Sequence, residues 1–183
     1  DNNVAIGKDS MVANTTGYGN TAIGKSALGA NNVATGYYNS VVGMDALTNN
    51  TTGYYNAALG RESLKYNTTG HRNTATGAES LKLNTTGAYN TASGYYALYA
   101  NTTASNNTAV GYLALSANTT GGDNVSVGKD SLDSNTTGSG NVGIGSDALQ
   151  GNVSGASNVA VGTDALKSNT VSGNVGVGNQ ALE

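Results

Sequence analysis

An all-β fold is predicted, a parallel β-solenoid (β-roll) of about eleven 17-residue coils, and three observations predict it. First, a five-residue motif, Asn-x-small-x-Gly, recurs along the chain. It starts at Asn3, Asn20, Asn39, Asn56, Asn73, Asn90, Asn107, Asn124, Asn141, Asn158 and Asn174, with a spacing of 17 residues except 19 after Asn20 and 16 after Asn158. A fixed period of this kind marks units that bury their apolar faces on one another. Second, with the motif asparagine as position 1, every Lys, Arg, Asp and Glu falls at position 6, 7, 10, 16 or 17. That confines charge to the corners of a coil. Third, each coil carries at least one glycine, and most carry Asn-Thr-Thr-Gly at positions 12–15, as at Asn67–Gly70. This leaves no run long enough for a helix.

The elements follow in order along one coil. Positions 2–4, such as Thr21-Ala22-Ile23, alternate at period 2 and predict a short strand. Glycine at position 5, and again at 15, allows a tight corner. A second short extended piece is expected over positions 8–11. Position 8 is always Ala or Ser, and position 9 is Leu from Leu28 to Leu182, with Met11 in the first coil. The spacing changes fall in one loop, at Asn31–Gly36 and Asn169–Gly173, and the core positions then resume in phase, so this loop lies at the surface. Residues 1–183 form a single repeat domain, expected to be uncapped at both ends, whose coils stack at about 4.8 Å into a rod of roughly 50 Å.

Position 3 is small or Val in every coil and faces a narrow interior filled by the position 9 leucines. Position 4 points the opposite way. It is apolar at Ile23, Val42, Leu59, Val110, Val127, Ile144 and Val161, and Thr76 and Ser93 interrupt it. An outward apolar stripe marks an interface, here with copies of the same chain in a symmetric homo-oligomer. The asparagines at positions 1 and 12 are expected to form ladders that satisfy the turn backbone.

Composition excludes several classes. The chain has 183 residues, no Cys, Pro, Trp or Phe, and 27 glycines. Charged residues make up 10%, against about 25% ordinarily. Low charge without proline argues for ordered repetition over disorder. A net charge of −3 gives no footprint for nucleic acid. No apolar run reaches the roughly 18 residues of a membrane span. The absence of a signal peptide and of an initiator Met points to a mature or excised chain.

The segments Asn39-Ser-Val-Val-Gly-Met-Asp-Ala-Leu47 and Asn56-Ala-Ala-Leu-Gly-Arg-Glu-Ser-Leu64 resemble the head repeats of trimeric autotransporter adhesins of the YadA type. Similar repeats occur in phage-tail-fibre-like proteins. The resemblance spans nearly the whole chain, although the 17-residue length and the Asn-Thr-Thr-Gly turn depart from the commoner, shorter head repeat. It implies a left-handed roll, a homotrimer and surface adhesion.

The chemistry-bearing residues give little support to an enzyme. His71 is the lone histidine and stands at a corner beside Arg72, without the orienting partner that a general base needs. Phosphate-loop and calcium-nonapeptide motifs are absent, and no cofactor is expected. Asp45, Glu62 and Glu79, like Asp130, Asp147 and Asp164, recur at position 7 and would stack as an exposed row, screened by salt, in preference to a metal site. Tyrosines at the charge-bearing corners, Tyr37, Tyr38, Tyr54, Tyr55, Tyr95, Tyr96, Tyr99 and Tyr112, offer glycan or partner contacts. They equally suit stacking between coils. The sequons at Asn14, Asn50, Asn67, Asn84, Asn101, Asn118, Asn135 and Asn152 give an N-glycosylation expectation, though the repeated turn creates them by composition.

The resulting expectation is a non-enzymatic structural or adhesive segment of an extracellular fibre at a cell or virion surface. Its partners would be its own copies and host or environmental glycans. The alternatives are a self-assembling, glycosylated extracellular fibril subunit, a phage tail-fibre shaft, and an ice- or surface-binding solenoid. The last ranks low because the paired threonines at positions 13 and 14, such as Thr68 and Thr69, would face opposite ways.

Overall fold

A computed structural model describes residues 2–29 and 35–183. The longer turn at Asn31–Ala34 lies outside the described residues. Eleven strands of three residues follow in order: β1 (Val4–Ile6), β2 (Thr21–Ile23), β3 (Ser40–Val42), β4 (Ala57–Leu59), β5 (Thr74–Thr76), β6 (Thr91–Ser93), β7 (Thr108–Val110), β8 (Val125–Val127), β9 (Val142–Ile144), β10 (Val159–Val161) and β11 (Val175–Val177). They form one parallel sheet in sequence order. Equivalent motif positions pair throughout, as Ala58 with Ala75 and Leu59 with Thr76. The 16- and 19-residue spacings keep this register, as Val159 with Val175 and Thr21 with Ser40 show. Among the described residues there is no helix.

The apolar interior is built from rows at positions 3, 8 and 9. Position 3 side chains such as Ala58, Ala75 and Ala92 meet position 9 leucines such as Leu64, Leu81 and Leu98, and all are fully buried. Each leucine contributes about 1.5–3 kcal/mol by burial.

Among the described residues only one strand forms per coil, which corrects the expected second extended piece. Positions 6–11 are turns, with positions 7 and 9 in the left-handed region: Glu62 φ 58° and Leu64 φ 51°, Glu79 φ 59° and Leu81 φ 50°. A left-handed non-glycine residue costs roughly 1–2 kcal/mol. The leucine persists there because its burial offsets that strain. Two successive left-handed kinks turn the chain sharply and aim the leucine inward.

The two glycine positions also differ. Position 5 has a strongly positive φ, from Gly7 at 122° to Gly43 at 144°. A Cβ on Gly60 would lie 2.5 Å from the Gly77 carbonyl oxygen. Position 15 has no positive φ, and Ala104 occupies it in one coil. Glycine there serves close approach and not an unusual φ, because a Cβ on Gly53 would lie 2.3 Å from Asn50 Oδ1 and 2.4 Å from the Gly70 carbonyl oxygen.

Candidate functional site

Asparagine ladders run the length of the interior and fix the coils on one another. At position 1, Asn73 N donates to Asn56 Oδ1 at 3.0 Å, and Asn73 Nδ2 donates to Gly87 O at 2.8 Å. At position 12, Asn84 Nδ2 donates to Asn67 Oδ1 at 2.8 Å and to Gly87 O at 3.0 Å. The position 15 carbonyl therefore accepts from both ladders. Thr68 Oγ1 adds a third rung by donating to Thr85 O at 3.0 Å.

This arrangement corrects the N-glycosylation expectation. Asn50, Asn67, Asn84, Asn101, Asn118, Asn135 and Asn152 are fully buried. From Asn67 to Asn152 both Nδ2 protons are engaged in hydrogen bonds. The folded coil has no room for a sugar on these amides. Asn14 is half-buried and donates to Gly17 O at 3.0 Å. The ladder ends at Asn152, whose Oδ1 is buried without a partner among the described residues. The next turn is one residue short, so Asn169 Nδ2 donates to Val171 O instead, at 2.8 Å.

The outward sheet face carries positions 2 and 4. Ile23, Val42, Leu59, Val110 and Ile144 of the stripe are exposed, and Val127 and Val161 are half-buried. In β8 to β11 position 2 is valine as well, at Val125, Val142, Val159 and Val175. None of the outward side chains of the eleven strands is charged, while a hydroxyl belt of Thr74, Thr76, Thr91 and Ser93 crosses the middle.

Tyrosines at positions 16 and 17 pack as two parallel columns. Tyr18, Tyr37, Tyr54 and His71 stack in sequence at 5.3, 4.9 and 4.7 Å, with their planes within 8°. Tyr38 stacks on Tyr55 at 5.3 Å, and the Arg72 guanidinium lies 5.8 Å from the Tyr55 ring and 5.4 Å from the Tyr89 ring. The columns meet edge to face, as Tyr37 with Tyr55 at 5.9 Å. The faces of the middle rings, Tyr37, Tyr54 and Tyr55, are thus covered by neighbouring rungs, and Tyr38, which begins its column above Gly19, is stacked on one face, which favours coil-to-coil stacking for all four. His71 is one of these rungs. Desolvation raises the Tyr37 pKa, with its tyrosine neighbours adding to the rise.

Across the coil, Tyr95 lies parallel to Tyr112 at 5.9 Å and tilts against Tyr96 at 4.3 Å, while Tyr96 stacks on Tyr99 at 4.6 Å. Hydrogen bonds with Tyr95 and Glu79 push the Tyr96 phenol up to about 12.

The position 7 carboxylates are not an exposed repulsive row in the first half of the rod. Glu62 and Glu79 keep only 13% and 7% side-chain exposure. Lys82 sits between them, 2.6 Å from Glu62 and 2.9 Å from Glu79. Lys65 does the same for Glu62 at 3.1 Å and Asp45 at 3.8 Å. Arg61 closes on Glu79. Hydrogen bonds from Lys82 and Lys65 lower the Glu62 carboxyl to about 2, and Lys82 also lowers Glu79. The second row differs: Lys167 pairs with Asp164 at 2.7 Å and Lys129 with Asp130 at 2.6 Å, but Gln150 stands in the coil of Asp147 where the first row has lysine. Asp133, at the same position one coil earlier, is raised, chiefly by burial. Among the described residues, no group of three or more acidic or histidine side chains is placed to hold a metal ion.

Fold and surface together define a parallel β-solenoid with an uncharged sheet face and aromatic corners. Comparison with known protein families, curated proteins and solved structures finds no match.

Proposed function

We propose that the chain is a non-enzymatic structural and adhesive segment of an extracellular fibre, projecting from a cell or virion surface, in which copies pack side by side through the sheet face. The observation that carries this reading is the absence of charge from that face over all eleven strands, although charged residues occur along both flanking corners. A face about 50 Å long and two side-chain ranks wide is long enough to contribute substantially to a standard interface of about 800 Å² per partner. Its apolar pairs at β8 to β11, valine throughout except for Ile144, supply the apolar part. The hydroxyl belt at Thr74, Thr76, Thr91 and Ser93 supplies a polar layer that favours one axial register. The resemblance to adhesin heads supports three copies per assembly, a left-handed coil and an outside location.

Sedimentation equilibrium tests the reading. The wild-type chain is expected to sediment at a multiple of 18.2 kDa, and Val127→Glu with Ile144→Glu to sediment as a monomer with an unchanged circular dichroism spectrum. A monomeric wild type contradicts it.

A further inference from the structure

The position 17 column ends at Tyr89, and the two coils above continue its row with Asn106 and Asp123. These three residues share one backbone conformation, with φ of 59°, 63° and 60°. Their amides donate to equivalent carbonyls of the preceding coil: Tyr89 to His71 at 3.1 Å, Asn106 to Ala88 at 3.1 Å and Asp123 to Ser105 at 3.2 Å. The three side chains therefore leave the same corner in parallel, about 4.8 Å apart.

Tyr89 is held from below. Arg72 Nη1 donates to its hydroxyl at 2.7 Å, the guanidinium covers one ring face, and His71 meets the ring edge to face at 5.4 Å. The residue is 51% exposed, and Asn106, a shorter side chain, takes the equivalent place in the next coil. Beside this row, position 16 shrinks from tyrosine and histidine to Ala88, Ser105 and Gly122, and position 17 itself falls to Gly140 in the coil after Asp123. The result is a shelf with an aromatic wall. Asn106 and Asp123 are exposed, and among the described residues neither side chain has a hydrogen-bond or ion-pair partner.

We propose that Tyr89, Asn106 and Asp123 form a binding site for a neutral saccharide. A pyranose presents an apolar C–H face, which suits a ring held rigid by Arg72 and His71. It also presents a rim of hydroxyls, which suits an amide that donates and accepts and a carboxylate that accepts through two oxygens. The cation of Arg72 is committed to the tyrosines, so the shelf has no free positive charge to select an anion. The tyrosines in the middle of the columns do not offer this, because their faces are occupied by the next rung. The inference rests on the adhesive part of the proposed function and gives it a residue-level site.

A microarray of neutral oligosaccharides probed with the intact chain tests it, followed by calorimetric titration of the saccharides it retains. Tyr89→Ala and Asp123→Ala should each weaken binding by about tenfold or more, the order expected for losing one stacked ring or one charged acceptor. Tyr66→Ala, which removes an exposed tyrosine at position 11, away from this row, should leave binding unchanged. Asp123 has no structural partner, so its variant keeps the test valid should Tyr89→Ala melt early. Failure of the wild type to retain any saccharide overturns the site, as does binding that survives Asp123→Ala and a folded Tyr89→Ala. A chain that retains none yet sediments as the lateral oligomer loses this site and keeps the fibre reading.

Discussion

Asn84 donates from Nδ2 to Asn67 Oδ1 at 2.8 Å and receives the same bond on its own Oδ1 from Asn101 at 2.8 Å. Each buried amide is thus both rung and support. Asn84→Ala removes these two bonds and the one to Gly87 O, leaving donors and acceptors stranded in a dry interior. At about 1–3 kcal/mol per unsatisfied group, the variant should lose about 3–6 kcal/mol in urea denaturation. A loss below about 1 kcal/mol would mean that water replaces the ladder.

Glycine substitutions should separate the two kinds of positive-φ site. Gly60→Ala places a Cβ 2.5 Å from the Gly77 carbonyl at φ +140°, a conformation almost closed to L side chains. The expected loss is about 2–4 kcal/mol. Gly173→Asn should be nearly silent, because nothing lies within 4 Å of a Cβ there and φ is +80°. Thermal melts of the pair check the contrast.

Leucine at a left-handed position is stabilising only where it is buried. Leu81→Ala should cost about 2–5 kcal/mol through the cavity it leaves. Leu113, at position 7 with φ 56°, is half-buried and stands where most coils have Asp or Glu. Leu113→Asn should stabilise the fold by about 0.5–1 kcal/mol of relieved strain, read as a higher melting temperature.

Much of this is legible in the repeat. The alternation of Ala75 with Thr74 and Thr76 sets the inward and outward faces, and the recurrence of Asn67 and Asn84 announces the ladder. The left-handed turns at Glu79 and Leu81 are not legible, because hydrophobic spacing reports inside or outside and not backbone hand. The charge network escapes a reading of position 7 alone, which shows only a column of carboxylates. Its signal lies three residues further on, where Lys65 and Lys82 follow Glu62 and Glu79. The sequons of the position 12 row mislead because a local motif carries no information about burial. The tyrosine columns follow from the period, but only the ring geometry shows that their faces are covered and that Tyr89 ends the row.

The lysine bridge sets a pH dependence with a definite sign. Glu62 is lowered from an ordinary 4.5 to about 2, so its stabilisation is present above 4.5 and is lost as the pH falls from there toward 2. Lys82 is raised above its ordinary 10.5, so its share is present below that value and is lost as the pH rises beyond it. Lys82→Met should cost about 1–2 kcal/mol at pH 7 and should flatten the acid limb. Denaturation midpoints between pH 2 and 7 check both points.

A high-resolution crystal structure of the isolated chain bears most directly on the stacked-coil architecture. The account predicts rods with a rung every 4.8 Å or so along the axis, strands perpendicular to that axis, and unbroken density columns at Asn67, Asn84 and Asn101 inside and at Tyr37, Tyr54 and His71 on the corner. Density for helices, or rungs out of register between neighbouring 17-residue repeats, would contradict it.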